Sequence, residues 1–227
     1  MEYSNGEINM ENVTIIDDFL PEHDFKIINK LFLENENPVI PWKLSASDYD
    51  AEDTETLGVN LAENMGDQKT IFTRDSTTPS PSQLVHMFYL DNGDVMSEHI
   101  DVVFPILQKI HPFSIFRIKA NLKMKSSDIL IDNWHSDLYN PILSIHMDEK
   151  KVSQWTTAVY YVNSNNGYTE FKDGSRCECV GNRLLTFPAN MIHRGTSCTD
   201  EDVRVIINFN YFNVRKEIRR EENEAIR

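Results

Sequence analysis

At three places in this chain an acidic residue follows a histidine by two positions: His99 and Asp101, His135 and Asp137, and His146 and Asp148. In an extended segment residues i and i+2 project to the same side, so such a pair can offer two ligands to one metal ion while a third arrives from a distant strand. Two histidines and one carboxylate on one face of a metal, with other positions open, is the ligand set of non-haem Fe(II) sites. The spacing is weak evidence alone, since seven histidines and 36 acidic residues in 227 give about one such pair by chance. The plain alternative is that these histidines are ordinary surface or hydrogen-bonding residues. The candidate for the distant ligand is His193, with Arg204 eleven positions further on.

Local context sorts the pairs. His99 and Asp101 fall in a segment with helical spacing after Ser97, where i and i+2 diverge by about 200° and cannot share one ion. His135 follows the β-like run ILIDNW, so the end of a strand presents the pair into a loop. His146, in SIHMDEKKVSQW, is also compatible with extended chain, and both pairs stand at this point.

The elements that must position these residues are mostly strands. Residues 181–212 read as two apolar strands joined by a loop that holds His193 near its start and Arg204 near its end. In the second, Val203, Val205, Ile207, Phe209 and Tyr211 share a core face. Arg204, Ile206, Asn208 and Asn210 share the other, which either lines a polar cavity inside a barrel or forms the wet side of a sheet. For an antiparallel strand taken alone the wet side is the commoner case. In SIFRIKANLKM, Ile115, Arg117, Lys119 and Asn121 alternate with Phe116, Ile118, Ala120 and Leu122. Further strand-like runs lie at 129–134, 156–162, 169–171, 177–180 and 183–187, separated by turn-rich pieces such as NSNNGY and KDGS.

The N-terminal half has a different character. VTIIDDF at 13–19 is a short β-like run, and Pro21 opens a helix with Phe25, Ile28, Leu31 and Phe32 at helical spacing. Residues 34–82 read as a long surface loop, with six acidic residues and no basic one between Ser45 and Glu63. QLVHMFYL at 83–90 is apolar again, Ser97 is expected to cap a helix carrying Ile100, Val103, Phe104 and Leu107, and Pro105 must kink that helix or begin a second one. The pattern predicts a mainly β domain, barrel or sandwich, braced by helices, with a charged helix over 214–227.

Length fits a single domain of 227 residues. A net charge of −14 works against binding nucleic acid. Three cysteines, Cys177, Cys179 and Cys198, make no disulfide framework and lack the second pair of a structural zinc site. With no signal-like leader and no long apolar run, a soluble, cytoplasmic protein without membrane contact is expected. The oligomeric state is open.

The order of motifs resembles the iron(II)- and 2-oxoglutarate-dependent dioxygenases, in their prolyl 4-hydroxylase-like branch, and most of all the small versions carried by bacteriophages. The phrases that carry the likeness are RIKANL (117–122), HSD (135–137), TTAVYYVNSNNGYTEF (156–171), NRLLTFPANMIHRGTSCTD (182–200) and RVIINFNYF (204–212). VTIIDDFLPEHDFKIINKLF also resembles the first strand and helix of that branch. The resemblance implies a double-stranded β-helix (jelly-roll, cupin-like) core over 113–213, with helical and loop-rich support over 1–112 and a tail over 214–227. It implies His135, Asp137 and His193 as ligands of Fe(II), and Arg204 as the partner of the distal carboxylate of 2-oxoglutarate, a task suited to a planar, permanently charged fork. Tyr161 matches a tyrosine that assists at that carboxylate, and Asn121 and Asn208 are further candidates for cosubstrate contact. The gap from RIKANL favours His135 and Asp137 over His146 and Asp148, and makes 138–155 an insertion near the mouth of the site.

The implied reaction consumes dioxygen and 2-oxoglutarate, releases succinate and carbon dioxide, and hydroxylates a protein side chain or a small molecule; Asp137 argues for hydroxylation, since related halogenases lack that carboxylate. The alternatives are a non-catalytic jelly-roll binding module and, disfavoured by the acidic charge, a nucleic-acid demethylase.

Overall fold

The computed structural model describes residues 12–33, 40–45, 83–90, 93–138 and 149–213. The competing pair His146 and Asp148, most of the acidic 45–63 segment and the 214–227 tail lie outside the described residues.

Two antiparallel sheets carry the structure. The larger contains β1 (Thr14–Ile16), β2 (Lys43–Ser45), β3 (Gln83–Leu90), β4 (Asp94–Val95), β5 (Ser114–Met124), β6 (Trp155–Tyr161), β9 (Arg183–Pro188) and β11 (Val203–Phe212), in the order β1-β9-β6-β11-β5-β3-β2 with β4 on β3. The smaller contains β7 (Tyr168–Phe171), β8 (Arg176–Glu178) and β10 (His193–Gly195), in the order β10-β7-β8. The run expected as a strand at 129–134 is not one. It is held by one isolated bridge, Ile131 to Thr196, and by single hydrogen bonds, Asp132 N–H to the Gly195 carbonyl and Ser197 N–H to the Leu130 carbonyl, with a second bridge just beyond it, His135 to His193.

Helix α1 (Glu22–Leu33) starts as expected after Pro21, with Glu22 and Asp24 in its first turn, where the helix dipole favours negative charge. Pro105 begins a second helix rather than kinking one: a 3-10 turn at Ile100–Val103 leads into α2 (Phe104–Ile110), where the ring sits in the first turn and breaks no backbone bond. Ser97 does not cap it; its hydroxyl bonds the His86 ring and accepts the His99 N–H. A short helix, α3 (Glu149–Val152), precedes β6. The N-terminal support is thus less helical than its sequence suggests, because β1 to β4 all join the large sheet.

Alternation along β5, β6 and β11 sorts side chains into two cores. One face of the large sheet, with Ile118, Ala120, Ala158, Tyr160, Val205, Ile207 and Phe209, packs under Ile28 and Phe32 of α1 and Ile106 of α2. The opposite face, with Val159, Tyr161, Leu185, Phe187 and Ile206, meets Phe171 and Cys177 of the small sheet. Strand β11 is therefore buried on both sides, with Arg204, Ile206, Asn208 and Asn210 each at 8% exposure or less. That removes the wet-surface reading of this face: a second sheet covers it, which no pattern within the strand could announce.

Asn182 ties the N-terminal segment to this frame. Its φ is +64°, a left-handed conformation that asparagine tolerates, and it is 3% exposed. Its side-chain oxygen accepts from Leu20 N–H and Tyr160 O–H, and its amide donates to the Leu20 carbonyl. Asn182→Ala strands these buried groups and should destabilise the fold by about 2–4 kcal/mol. Urea unfolding measures this, and an unchanged midpoint would refute the anchoring role.

Candidate metal centre and carboxylate pocket

His135 and His193 face each other because the backbones of the two residues exchange hydrogen bonds, His135 N–H to the His193 carbonyl at 3.0 Å and the reverse at 2.9 Å. The small sheet thereby sets the separation of the two rings, whose centroids lie 4.6 Å apart. Asp137 follows two residues later, with Oδ1 at 4.0 Å from His135 Nε2 and Oδ2 at 4.0 Å from His193 Nε2. One ligand atom from each of the three residues lies within 4.8 Å of the others. Among the described residues no other group of three or more His, Cys, Asp or Glu side chains gathers in this way.

Hydrogen bonds fix which nitrogen each ring can offer. His135 Nδ1 lies 3.0 Å from the Asn133 carbonyl and His193 Nδ1 3.1 Å from the Met191 carbonyl. A carbonyl only accepts, so Nδ1 carries the hydrogen in both rings and the Nε2 lone pairs face the Asp137 side. Burial first, then the neighbouring His135, pushes the His193 imidazole from its ordinary 6.5 down to about 4, which leaves it neutral and ligand-competent at pH 7. Burial alone would raise the Asp137 carboxyl. Its interactions with the neighbouring His193 and His135 imidazoles and with the cationic Arg117 and Lys119 outweigh it and hold the group well below the usual carboxylate range. Asp137 is also oriented: Arg117 Nη2 donates to Oδ1 at 3.3 Å and Asn210 Nδ2 to Oδ2 at 3.2 Å. Asn210 is itself held by Arg117 Nε and Thr157 Oγ1.

The face of β11 that carries Asn210 beside the metal cluster leads through Asn208 and Ile206 to Arg204. Arg204 is 2% exposed, and its Nε and Nη2 have no hydrogen-bond partner among the described residues. The Cys179 thiol beside it is a weak acceptor that cannot neutralise a guanidinium. The Tyr161 ring lies 5.8 Å from Arg204 Cζ, and the Tyr161 hydroxyl donates to Thr169 Oγ1 at 2.8 Å. Asn121 Oδ1 and Asn208 Oδ1 are likewise buried without partners. Glycines make the room: a Cβ on Gly167 would lie 2.7 Å from both Arg204 Cδ and the Ser197 carbonyl, and one on Gly195 would meet Asp132 at 3.1 Å. A buried cation with unpaired donors fits a carboxylate-bearing guest, while the orphaned amide oxygens nearby call for a hydrogen-bond donor.

No family model matches the sequence, and no curated protein matches it. Among solved structures, the chain is similar to an oxidoreductase of the 2OG-Fe(II) oxygenase family from Burkholderia pseudomallei, where 2OG is 2-oxoglutarate, with a TM-score of 0.53, 10% identity, and 88% of this chain and 85% of that one covered. The fold is that of the 2OG-Fe(II) oxygenases. It is also similar to a Trichoplax adhaerens prolyl hydroxylase in complex with a hypoxia inducible factor oxygen degradation domain peptide fragment, with a TM-score of 0.51, 12% identity, and 91% and 86% covered. The likeness to the prolyl 4-hydroxylase-like branch read from the sequence therefore holds at the level of the fold, and the jelly-roll core is present.

Within this oxygenase fold His135, Asp137 and His193 come together, and Arg204, Tyr161, Asn121 and Asn208 lie on the faces of β11, β6 and β5 that turn toward the small sheet. His99 and Asp101 lie apart from them, in the turn before α2. Sequence reasoning missed Arg117 and Asn210 as the groups that orient Asp137. The available signal was their position on the polar faces of β5 and β11, but the cross-strand partnership needed the register that pairs Asn210 with Arg117 and Thr157.

The depressed His193 has a consequence for stability. The unfolded chain takes up this proton near 6.5 and the folded chain only near 4, so the unfolded state binds the extra proton between these values and metal-free protein loses stability as pH falls across that window. Urea midpoints at about pH 7 and about pH 4.5 should differ, and His193→Gln should shrink the difference. An equal difference in both proteins would assign the acid sensitivity elsewhere.

Proposed function

We propose that this protein is an Fe(II)- and 2-oxoglutarate-dependent dioxygenase of the hydroxylase type, built as one domain over residues 1–227 and acting in the cytoplasm. The observation that carries the reading is Arg204, a buried guanidinium with two unpaired nitrogens, on the same strand face whose far end holds Asp137. His135, Asp137 and His193 would hold the iron. When bound, iron, 2-oxoglutarate and dioxygen supply the oxidising chemistry, yielding succinate, carbon dioxide and a hydroxylated product.

The chain's own part is positioning and charge. Arg204 receives the distal carboxylate of 2-oxoglutarate in a pocket where water cannot screen the pair. Asn121 and Asn208 line the same pocket and would serve the cosubstrate as donors through their amide N–H groups. Tyr161 seats the guanidinium with its ring, its hydroxyl held on Thr169. Neutral His193 and ionised Asp137 are in their metal-binding protonation states at pH 7 without any proton having to leave. Arg117 and Asn210 keep the carboxylate turned toward the two imidazoles.

A protein side chain, proline first, is our choice of substrate by analogy with the Trichoplax prolyl hydroxylase, which is in complex with a peptide fragment; a small molecule is the second choice. Among the described residues no helix is long and apolar enough to cross a membrane.

Anaerobic titration of the Fe(II) protein with 2-oxoglutarate should produce the weak visible charge-transfer band of a chelated 2-oxo acid. Asp137→Ala and His193→Ala should lose it and Asp148→Ala should keep it. Loss only in Asp148→Ala moves the centre to His146, and no band in folded wild type makes the non-catalytic binding module the better account. Arg204→Ala should raise the KM for 2-oxoglutarate, read as succinate release, by about 100-fold or more, the usual cost of truncating one partner of a buried charge pair. Gly167→Ala should also raise that KM, by about tenfold, because its Cβ displaces the Arg204 stem; an unaltered KM would mean the stem is free to move.

A further inference from the structure

Each histidine of the centre has a neighbour on the opposite face of the small sheet. Alternation along β10 turns His193 toward the site and Arg194 away from it, and beside the bridge at His135 it turns Trp134 away as well. On that outer face the two meet, with Arg194 Cζ 4.0 Å from the Trp134 ring centroid. Arg194 is not free to wander. Its Nε and Nη2 lie 2.7 and 2.5 Å from Glu170 Oε2, Glu170 being its register partner on β7 and only 5% exposed. The other oxygen of Glu170 is taken by Arg176, whose Cζ lies 4.2 Å from the Tyr168 ring. Lys172 places a second cation 4.2 Å from the Trp134 centroid.

This arrangement matters because His135 is the least enclosed of the three candidate ligands. Its side chain is 40% exposed, against 5% for His193 and 4% for Asp137. Residues 132–138 belong to no strand, and their backbone hydrogen bonds to the small sheet are made at Asp132, whose N–H donates to the Gly195 carbonyl, and at His135. Resting on the metal-centre reading above, we infer that Trp134, Arg194 and Glu170 form a positioning clamp that fixes His135 relative to His193 from the far side of the sheet, and so sets the metal affinity and coordination geometry of the centre. The cation lies over the ring face while its carboxylate partner is buried, which makes the contact both directional and hard to displace.

The test uses the full-length protein and Co(II) alone, following affinity by indicator competition and geometry by the visible d–d absorption, with thermal unfolding of the metal-free protein alongside. Trp134→Ala and Arg194→Gln should each weaken Co(II) binding by about 10–100-fold, the range seen when groups orienting a ligand are removed, and should shift the d–d band. Trp134→Phe, which restores a ring face to Arg194, should recover most of the affinity and the wild-type band. If Trp134→Ala does not fold, Arg194→Gln on the outer face decides. Wild-type affinity and spectrum in Arg194→Gln overturn the clamp, whatever happens to the melting temperature, because a merely structural contact lowers stability without moving the band. If wild type itself shows no Asp137-dependent Co(II) spectrum, the metal-centre reading fails and takes the clamp with it; if wild type binds and the variants bind equally, only the clamp fails.

Discussion

A guanidinium cannot shed its charge, and burying one without a counter-ion is among the costliest arrangements a protein core can hold. Arg204 is in that position, at 2% exposure on a strand covered on both faces. The rest of the architecture follows from keeping it there. β5 and β6 flank β11 on either side and the small sheet closes the face above it, while Gly167 gives up a side chain so that the Arg204 stem can pass. The apolar face of the same strand supplies the compensating burial against α1 and α2 through Val205, Ile207 and Phe209. The stability of the helix-side core thus supports an unpaired charge on the other side of the sheet.

The cluster of His135, Asp137 and His193 is organised on the same plan with different chemistry. Backbone hydrogen bonds between His135 and His193 set the ring separation, and carbonyls on both Nδ1 atoms settle the tautomers. Arg117 and Asn210 then aim the carboxylate. None of these contacts needs a long-range field. They are short hydrogen bonds from rigid strands, the kind of support that holds a site within the tolerance chemistry requires. The exposed edge of this site is His135, and its neighbour Trp134 is covered by Arg194 and Lys172 on the opposite face of the small sheet.

Much of this was legible in the residues because strand periodicity is local. Alternation alone placed Arg204, Asn208 and Asn210 on one face of β11 and Val205, Ile207 and Phe209 on the other, and the rotation of a helical turn disqualified His99 with Asp101. The helix after Pro21 and most strand positions after residue 113 followed from spacing and turn residues. The misses also have local causes. The run at 129–134 has strand composition but forms a single isolated bridge, Ile131 to Thr196, and its Leu130 and Ile131 side chains are exposed, so apolar composition there makes no ladder. β10 is three residues long, with His, Arg and Gly in sequence, and carries no strand signal of its own; pairing with β7 creates it.

Which side chains share a face, and which ligand types stand at which spacing, can be read from the residues alone, since the backbone dictates both over a few positions. What each face meets is set by packing between distant elements. The second face of β11 reads equally as a wet surface until another sheet lies over it. Arg117, Asn210 and Thr157 become one network around Asp137 only once β5, β6 and β11 are in register. Trp134 and Arg194, sixty residues apart in the chain, touch only because the bridge between their neighbouring histidines brings them across one sheet. Long-range register is set by the packing of whole layers, and no short window of sequence contains it.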